Sequence, residues 1–107
     1  TYAMTPSGAS ALLTGDFNMR PDDPLLARLC APFADSTAPL VAVWRAVPGE
    51  AAHPFTACIY DQTHGPPACL DFVLATPDLA ARARRMVCDG VTQLSDHQPL
   101  LVEFDLT

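Results

Sequence analysis

The chain has 107 residues, half of them hydrophobic, and a formal net charge of −6. A chain of this length buries roughly two-thirds of the surface it exposes when unfolded, enough for one domain with a real core. It contains no Lys, so its six cationic side chains are all Arg, and such an acidic domain is poorly suited to tight nonspecific binding of duplex nucleic acid, which is held by neutralising phosphates.

Other classes are excluded by local pattern. No stretch approaches the ~18 uninterrupted apolar residues of a membrane helix. The opening Thr1-Tyr2-Ala3-Met4 lacks the basic segment and apolar core of a signal peptide. It also lacks a leading Met, which points to processing or to a longer parent chain. Cys30, Cys58, Cys69 and Cys88 include no C-x-x-C pair, against a zinc ribbon or a thioredoxin-type site. They read as small buried or half-buried hydrophobes rather than a disulfide framework.

In chain order, Ala11-Leu12-Leu13-Thr14 predicts a buried strand that stops at Gly15. Pro21-Asp22-Asp23-Pro24 marks a turn and helix start, and Leu25, Leu26, Leu29 and Phe33 at helical spacing predict a helix from Pro24 to about Ala31, ended by Pro32. Val41, Val43 and Trp44 fit either a strand or a helical turn around a core Trp, and Pro48-Gly49 is a turn. Phe55 to Tyr60 reads as a strand, Thr63 to Pro67 as a loop, and Leu70 to Ala75 as a strand interrupted by one acid. Thr76-Pro77-Asp78 signals a short helical turn, and Arg82 to Cys88 reads as a strand closed by a turn at Asp89-Gly90. Leu100 to Leu106 is a final strand, with Leu100, Val102, Phe104 and Leu106 alternating against Leu101, Glu103 and Asp105. The sum is a mixed α/β domain.

Three motifs carry chemistry. In Thr14-Gly15-Asp16-Phe17-Asn18, an apolar strand ends in Gly, and on an extended backbone the Asp and Asn two residues apart face one side. The carboxylate can take a proton or orient water, and the carboxamide can donate to an oxyanion. A plain strand-to-helix turn would use the same residue types. In Ser95-Asp96-His97-Gln98-Pro99, His97 can titrate near neutral pH or hold a phosphate oxygen, and Asp96 can bind a hard cation. A capped polar loop is the bland alternative. In Leu70-Asp71-Phe72-Val73, a carboxylate amid an apolar strand is costly to bury unless paired. A His is its natural partner, whose tautomer and orientation it would fix; otherwise Asp71 lies at a strand edge facing water.

The motifs and their order resemble the endonuclease/exonuclease/phosphatase superfamily, which includes pancreatic deoxyribonuclease, abasic-site endonucleases, sphingomyelinases and inositol-polyphosphate phosphatases. The resemblance runs from about Leu12 to Leu106. It is specific at the three motifs, with Phe33-Ala34-Asp35, Trp44 and Phe55-Thr56 similar to the family's usual sequence between them. It implies metal-dependent phosphoester hydrolysis, as a phosphodiesterase, nuclease or phosphatase, with Mg²⁺ or Mn²⁺. It implies that Asp16 orients or deprotonates the attacking water, Asn18 hydrogen-bonds the phosphoryl group, and His97 contacts the phosphate. It further implies that Asp71 pairs with His97 and that Asp96 helps bind the metal.

The resemblance also implies a fold with a mixed, mostly antiparallel sheet and short helices, half of a two-sheet α/β sandwich. Residues 1–107 would form one domain, the C-terminal half of the family's domain. The family's principal metal-binding Glu precedes the Gly-Asp-x-Asn motif, and neither Glu50, in a Pro/Gly loop, nor Glu103, on the last strand, fits it. By itself the chain is therefore expected to be inactive, with an apolar face that pairs with the missing N-terminal half or self-associates. Its expected partner is a phosphoester substrate, with nucleic acid disfavoured by the acidity, and its expected setting is a bacterial cytoplasm. The rival reading is a non-catalytic interaction or structural domain that retains the motifs. His53 and His64 sit at no zinc-ligand spacing. Arg82, Arg84 and Arg85 read as a solvated face rather than a phosphate-steering patch, and Trp44 as core.

Overall fold

The computed structural model describes residues 9–49 and 52–106. Three strands form one antiparallel sheet: β1 (Leu12–Asp16), β2 (Val41–Ala42) and β3 (Asp71–Ala75), in the order β1-β3-β2. A second sheet pairs β4 (Ala83–Cys88) with β5 (Leu100–Phe104), also antiparallel. Helix α1 (Pro24–Leu29) follows β1, and the short helix α2 (Pro77–Ala80) links β3 to β4. The expected α/β class with antiparallel sheet and short helices holds, with the strands divided between two sheets rather than collected in one. No helix among the described residues is long and apolar enough to cross a membrane.

β3 is the centre of the core. Side chains alternate across a strand, and Phe72 and Leu74 are fully buried while Asp71 and Val73 on the other face are half-buried. Phe72 meets three rings: Trp44 at 5.4 Å, His53 at 4.8 Å and Phe17 at 5.7 Å between centroids. Trp44 is core, as its sequence context implied, with the Arg45 guanidinium 4.9 Å from its ring centre. His53 is a buried core residue rather than a loop ligand, its Nδ1 2.8 Å from the Pro54 carbonyl. Both readings of the Val41–Trp44 stretch are realised in succession, β2 running straight into a 3-10 turn at Val43–Arg45.

Several expectations change. β1 forms, but as an edge strand with Leu12 51% exposed, and it continues through Gly15 to Asp16. At the edge, one flank of the strand has no neighbour among the described residues, so the apolar run did not imply burial. α1 is capped by the Asp23 side chain, which accepts from Leu25 N–H at 2.9 Å, with Pro24 at the first turn. It ends at Leu29 rather than Ala31, because Pro32 disfavours helical geometry in the residue before it. Phe55–Tyr60 is not a strand: Cys58 takes φ +59, which breaks extended backbone, and only an isolated bridge survives at Ala57. On β4 the register slips between Ala83 and Arg85, so Arg84 is bulged and strict two-residue alternation is interrupted there. Ala83 and Met86 face the core, the three Arg are exposed, and Arg85 pairs with Glu103 at 2.7 Å. All four cysteines are free thiols. Glu50 and the opening Thr1–Met4 lie outside the described residues.

Candidate active site

The pairing of β1 with β3 sets Asp16 directly opposite Asp71. Two carboxylates at cross-strand partner positions repel unless positive charge lies between them. His97 supplies the bridging ring: Nδ1 is 2.7 Å from Asp71 Oδ2, and Nε2 is 3.7 Å from Asp16 Oδ2. The hydrogen bond from Asp71 raises the His97 pKa above its ordinary value. Burial opposes that shift, and the charges of Asp71, Asp16 and Asp96 add to it. The three side chains thus form a row, carboxylate, imidazole, carboxylate, with Asp71 the more buried end and Asp16 the more open one.

His97 reaches this place through backbone pairing. The segment Thr56–Ala57 lies between the start of β3 and the residues before β5, and Ala57 bridges both Ala68 and His97. Gln98 N–H donates to the Thr56 carbonyl at 2.7 Å, and Cys58 N–H to the Asp96 carbonyl at 3.4 Å. The Gln98 amide is buried and donates to the carbonyls of Asp89 and Thr92, each at 2.7 Å, fixing the loop that precedes His97.

Asp16 and Asn18 come together by a turn rather than by extended alternation. Asn18 has φ +53, and its N–H donates to Asp16 Oδ1 at 2.8 Å. Between them, Phe17 N–H donates to the Leu70 carbonyl at 2.9 Å and its ring rests on Phe72, anchoring the loop to β3. Asn18 is exposed. Asp96 is exposed as well, with Ser95 Oγ 3.4 Å from its carboxylate and the same Oγ accepting from His97 N–H at 3.2 Å. Beside His97, Tyr60, Asp61, Ser95, Asp96 and Gln98 help line a cleft of about 300 Å³.

Among the described residues, Asp16, Asp71 and His97 form a group that could hold a metal ion, with one ligand atom from each lying within 4.8 Å of the others. Two carboxylates suit a hard divalent cation, and an imidazole is compatible with Mn²⁺ and its neighbours. Asp96, expected to be the metal ligand, is outside that group. Asp71, expected only to orient His97, is inside it. The motifs pointed to Asp16, Asn18, Asp71, Asp96 and His97, of which the structure brings Asp16, Asp71 and His97 together. They did not point to Thr56 and Gln98, buried polar residues hydrogen-bonded to the segments that carry Asp71 and His97; the signal for Thr56 was a hydroxyl between Phe55 and Ala57 in a largely apolar run.

The profile of the Endonuclease/Exonuclease/phosphatase family matches residues 3–97. No curated protein and no solved structure matches the chain. The match spans most of the sequence, and the chain belongs to the endonuclease/exonuclease/phosphatase family, whose members hydrolyse phosphoester bonds.

Proposed function

We propose that this member of the family contributes the Asp16–His97–Asp71 site to divalent-metal-dependent hydrolysis of a phosphoester, with Mg²⁺ or Mn²⁺ as the ion. The observation that carries the reading is the imidazole held between two facing carboxylates. Hydrolysis needs water in line with the leaving oxygen, a group to take its proton, and donors around the phosphoryl oxygens. Asp16, the exposed carboxylate, takes the proton of the attacking water. Asp71 accepts from Nδ1–H of His97, so the protonated ring keeps Nε2–H to donate to a phosphoryl oxygen. Asn18 offers a further donor from the neighbouring turn. The water oxygen bonds to phosphorus as the bond to the leaving oxygen breaks, and that oxygen takes up a proton from solvent. A bound divalent ion would be held by Asp16 and Asp71, with Asp96 nearby, and would supply positive charge to the phosphoryl oxygens.

The metal site is completed, in this proposal, by a carboxylate from outside these residues, so the chain alone turns over weakly or not at all. Support comes from Glu103, which is engaged by Arg85 on the second sheet rather than directed to the site. Self-association or pairing with an N-terminal half would cover the edge strand β1, where Leu12 is 51% exposed. The substrate is a small phosphoester rather than duplex nucleic acid; the net charge of −6 and the two acids in the cleft beside His97 support this.

The test is hydrolysis of bis-p-nitrophenyl phosphate by the chain and by a longer protein in which an N-terminal half of the family's domain is joined to it. Each is assayed with Mg²⁺, with Mn²⁺ and with chelator, alongside Asp16→Ala and His97→Ala. Metal-dependent turnover by the longer protein, lost in both variants, is expected. A longer protein inert with every metal and substrate tried would leave the non-catalytic interaction domain as the reading.

A further inference from the structure

Thr56 has no surface exposure, yet it is polar and lies within a loop. Its Oγ1 accepts from two consecutive backbone N–H groups, Leu70 at 3.1 Å and Asp71 at 3.2 Å. Consecutive N–H groups converging on one acceptor form a small concavity of the kind backbone nests present to anions, and here a hydroxyl fills it. The Thr56 backbone makes two further bonds. Its N–H donates to the Ala68 carbonyl at 2.9 Å, and its carbonyl accepts from Gln98 N–H at 2.7 Å. One residue is therefore bonded to Asp71 itself and to the immediate neighbour of His97.

From this arrangement we infer that Thr56 is a positioning residue that sets the separation of Asp71 and His97. The Asp71–His97 hydrogen bond spans 2.7 Å, so its strength depends steeply on where each backbone is held. The two side chains are 26 residues apart in sequence; Asp71 opens β3 in the first sheet, and His97 lies in the segment before β5. Besides the side-chain bond itself, Thr56, the adjacent Ala57 bridge and the Cys58 N–H bond to the Asp96 carbonyl join them among the described residues. Removing the hydroxyl leaves two part-buried donors without this acceptor, and the peptide between Leu70 and Asp71 turns to find another. Asp71 moves with it. The consequence for hydrolysis rests on the proposed function; the positioning of Asp71 does not.

The experiment uses Thr56→Val, which keeps the shape and loses the hydroxyl, and Thr56→Ser, which keeps the hydroxyl. The first readout is the low-field Nδ1–H proton resonance of His97 in the folded chain. It should be present in the parent and in Thr56→Ser, and lost or moved upfield in folded Thr56→Val. The second needs no variant: amide exchange at Leu70 and Asp71 in the parent should be slow. The third is hydrolysis in the form of the protein that turns over. There Thr56→Val should lower kcat by about 10–100-fold, the usual range for residues that orient a catalytic group, with KM within about twofold. Thr56→Ser should restore most of it. A Thr56→Val protein that folds with an unchanged His97 resonance would overturn the inference, as would fast exchange at both amides, which decides the matter even if Thr56→Val does not fold. Absence of hydrolysis in every form would count against the proposed function alone, because the resonance and the exchange still report on Thr56.

Discussion

Asp71 and Asp16 approach the same imidazole from opposite surroundings. The Asp71 side is built inward: its side chain is 21% exposed, it bonds His97 at 2.7 Å, and its backbone is fastened by a buried Thr. The Asp16 side is built outward: its side chain is 46% exposed and stands 3.7 Å from the ring, in a turn that also presents exposed Asn18. Fold and site are thus joined on one side and separable on the other. The closed half fixes the ring, and the open half faces solvent, where the proposed function places substrate and water.

The largest expected effect lies on the open half. Asp16→Ala should reduce hydrolysis by about 10²–10⁴-fold, the range for removing a general base. Its stability should stay within about 0.5 kcal/mol of the parent, as for other surface substitutions. Asp71→Asn should lower both activity and stability, because it removes the charge facing the ring and no longer fixes its tautomer. If Asp16→Ala and Asp71→Asn gave the same thermal-melt shift, the distinction between the two halves would dissolve.

Next is the core beneath the closed half. Phe72 is 1% exposed and touches three rings, so Phe72→Ala should cost about 3–5 kcal/mol by denaturant unfolding. That is a large share of the whole stability of a small domain. A loss under about 1 kcal/mol would mean that the ring cluster is not the core.

A smaller effect appears in pH. The folded-state pKa of His97 is raised, with the Asp71 hydrogen bond as the main cause. Protonated His97 therefore stabilises the fold fully below its unfolded value of about 6.5. That contribution fades as pH climbs through the raised value. The unfolding midpoint should fall with rising pH across that window in the parent and lose this slope in Asp71→Asn. A midpoint that rose with pH there would have the wrong sign for this pair.

The smallest effect is on the surface of the second sheet. Arg85 and Glu103 are both well exposed, so Arg85→Ala should change stability by less than about 1 kcal/mol. Salt should make little difference to the comparison.

What the sequence disclosed follows from where chemistry leaves a mark. Asp16, Asn18, Asp71 and His97 were legible because an acid inside an apolar strand and an Asp-His pair before a Pro are hard to explain by packing alone. The helix cap at Asp23, the β5 alternation and the turn into α2 were legible because capping and period-2 patterning are local. Phe55–Tyr60 misled because its composition is that of a strand, while the positive φ of Cys58 comes from tertiary context. The burial of β1 misled because an apolar run does not reveal whether a neighbouring strand stands on each side. The bulge at Arg84 and the double acceptance by Thr56 depend on backbone geometry that no residue type announces.

The most direct test of the account is a Mn²⁺ titration followed by the ring resonances of the three histidines, which serve as one another's controls. His97 should broaden first, ahead of exposed His64 and buried His53, and Asp16→Asn should abolish that preference. If His97 stays sharp while His64 broadens, the metal does not enter between Asp16 and Asp71, and the proposed site is wrong.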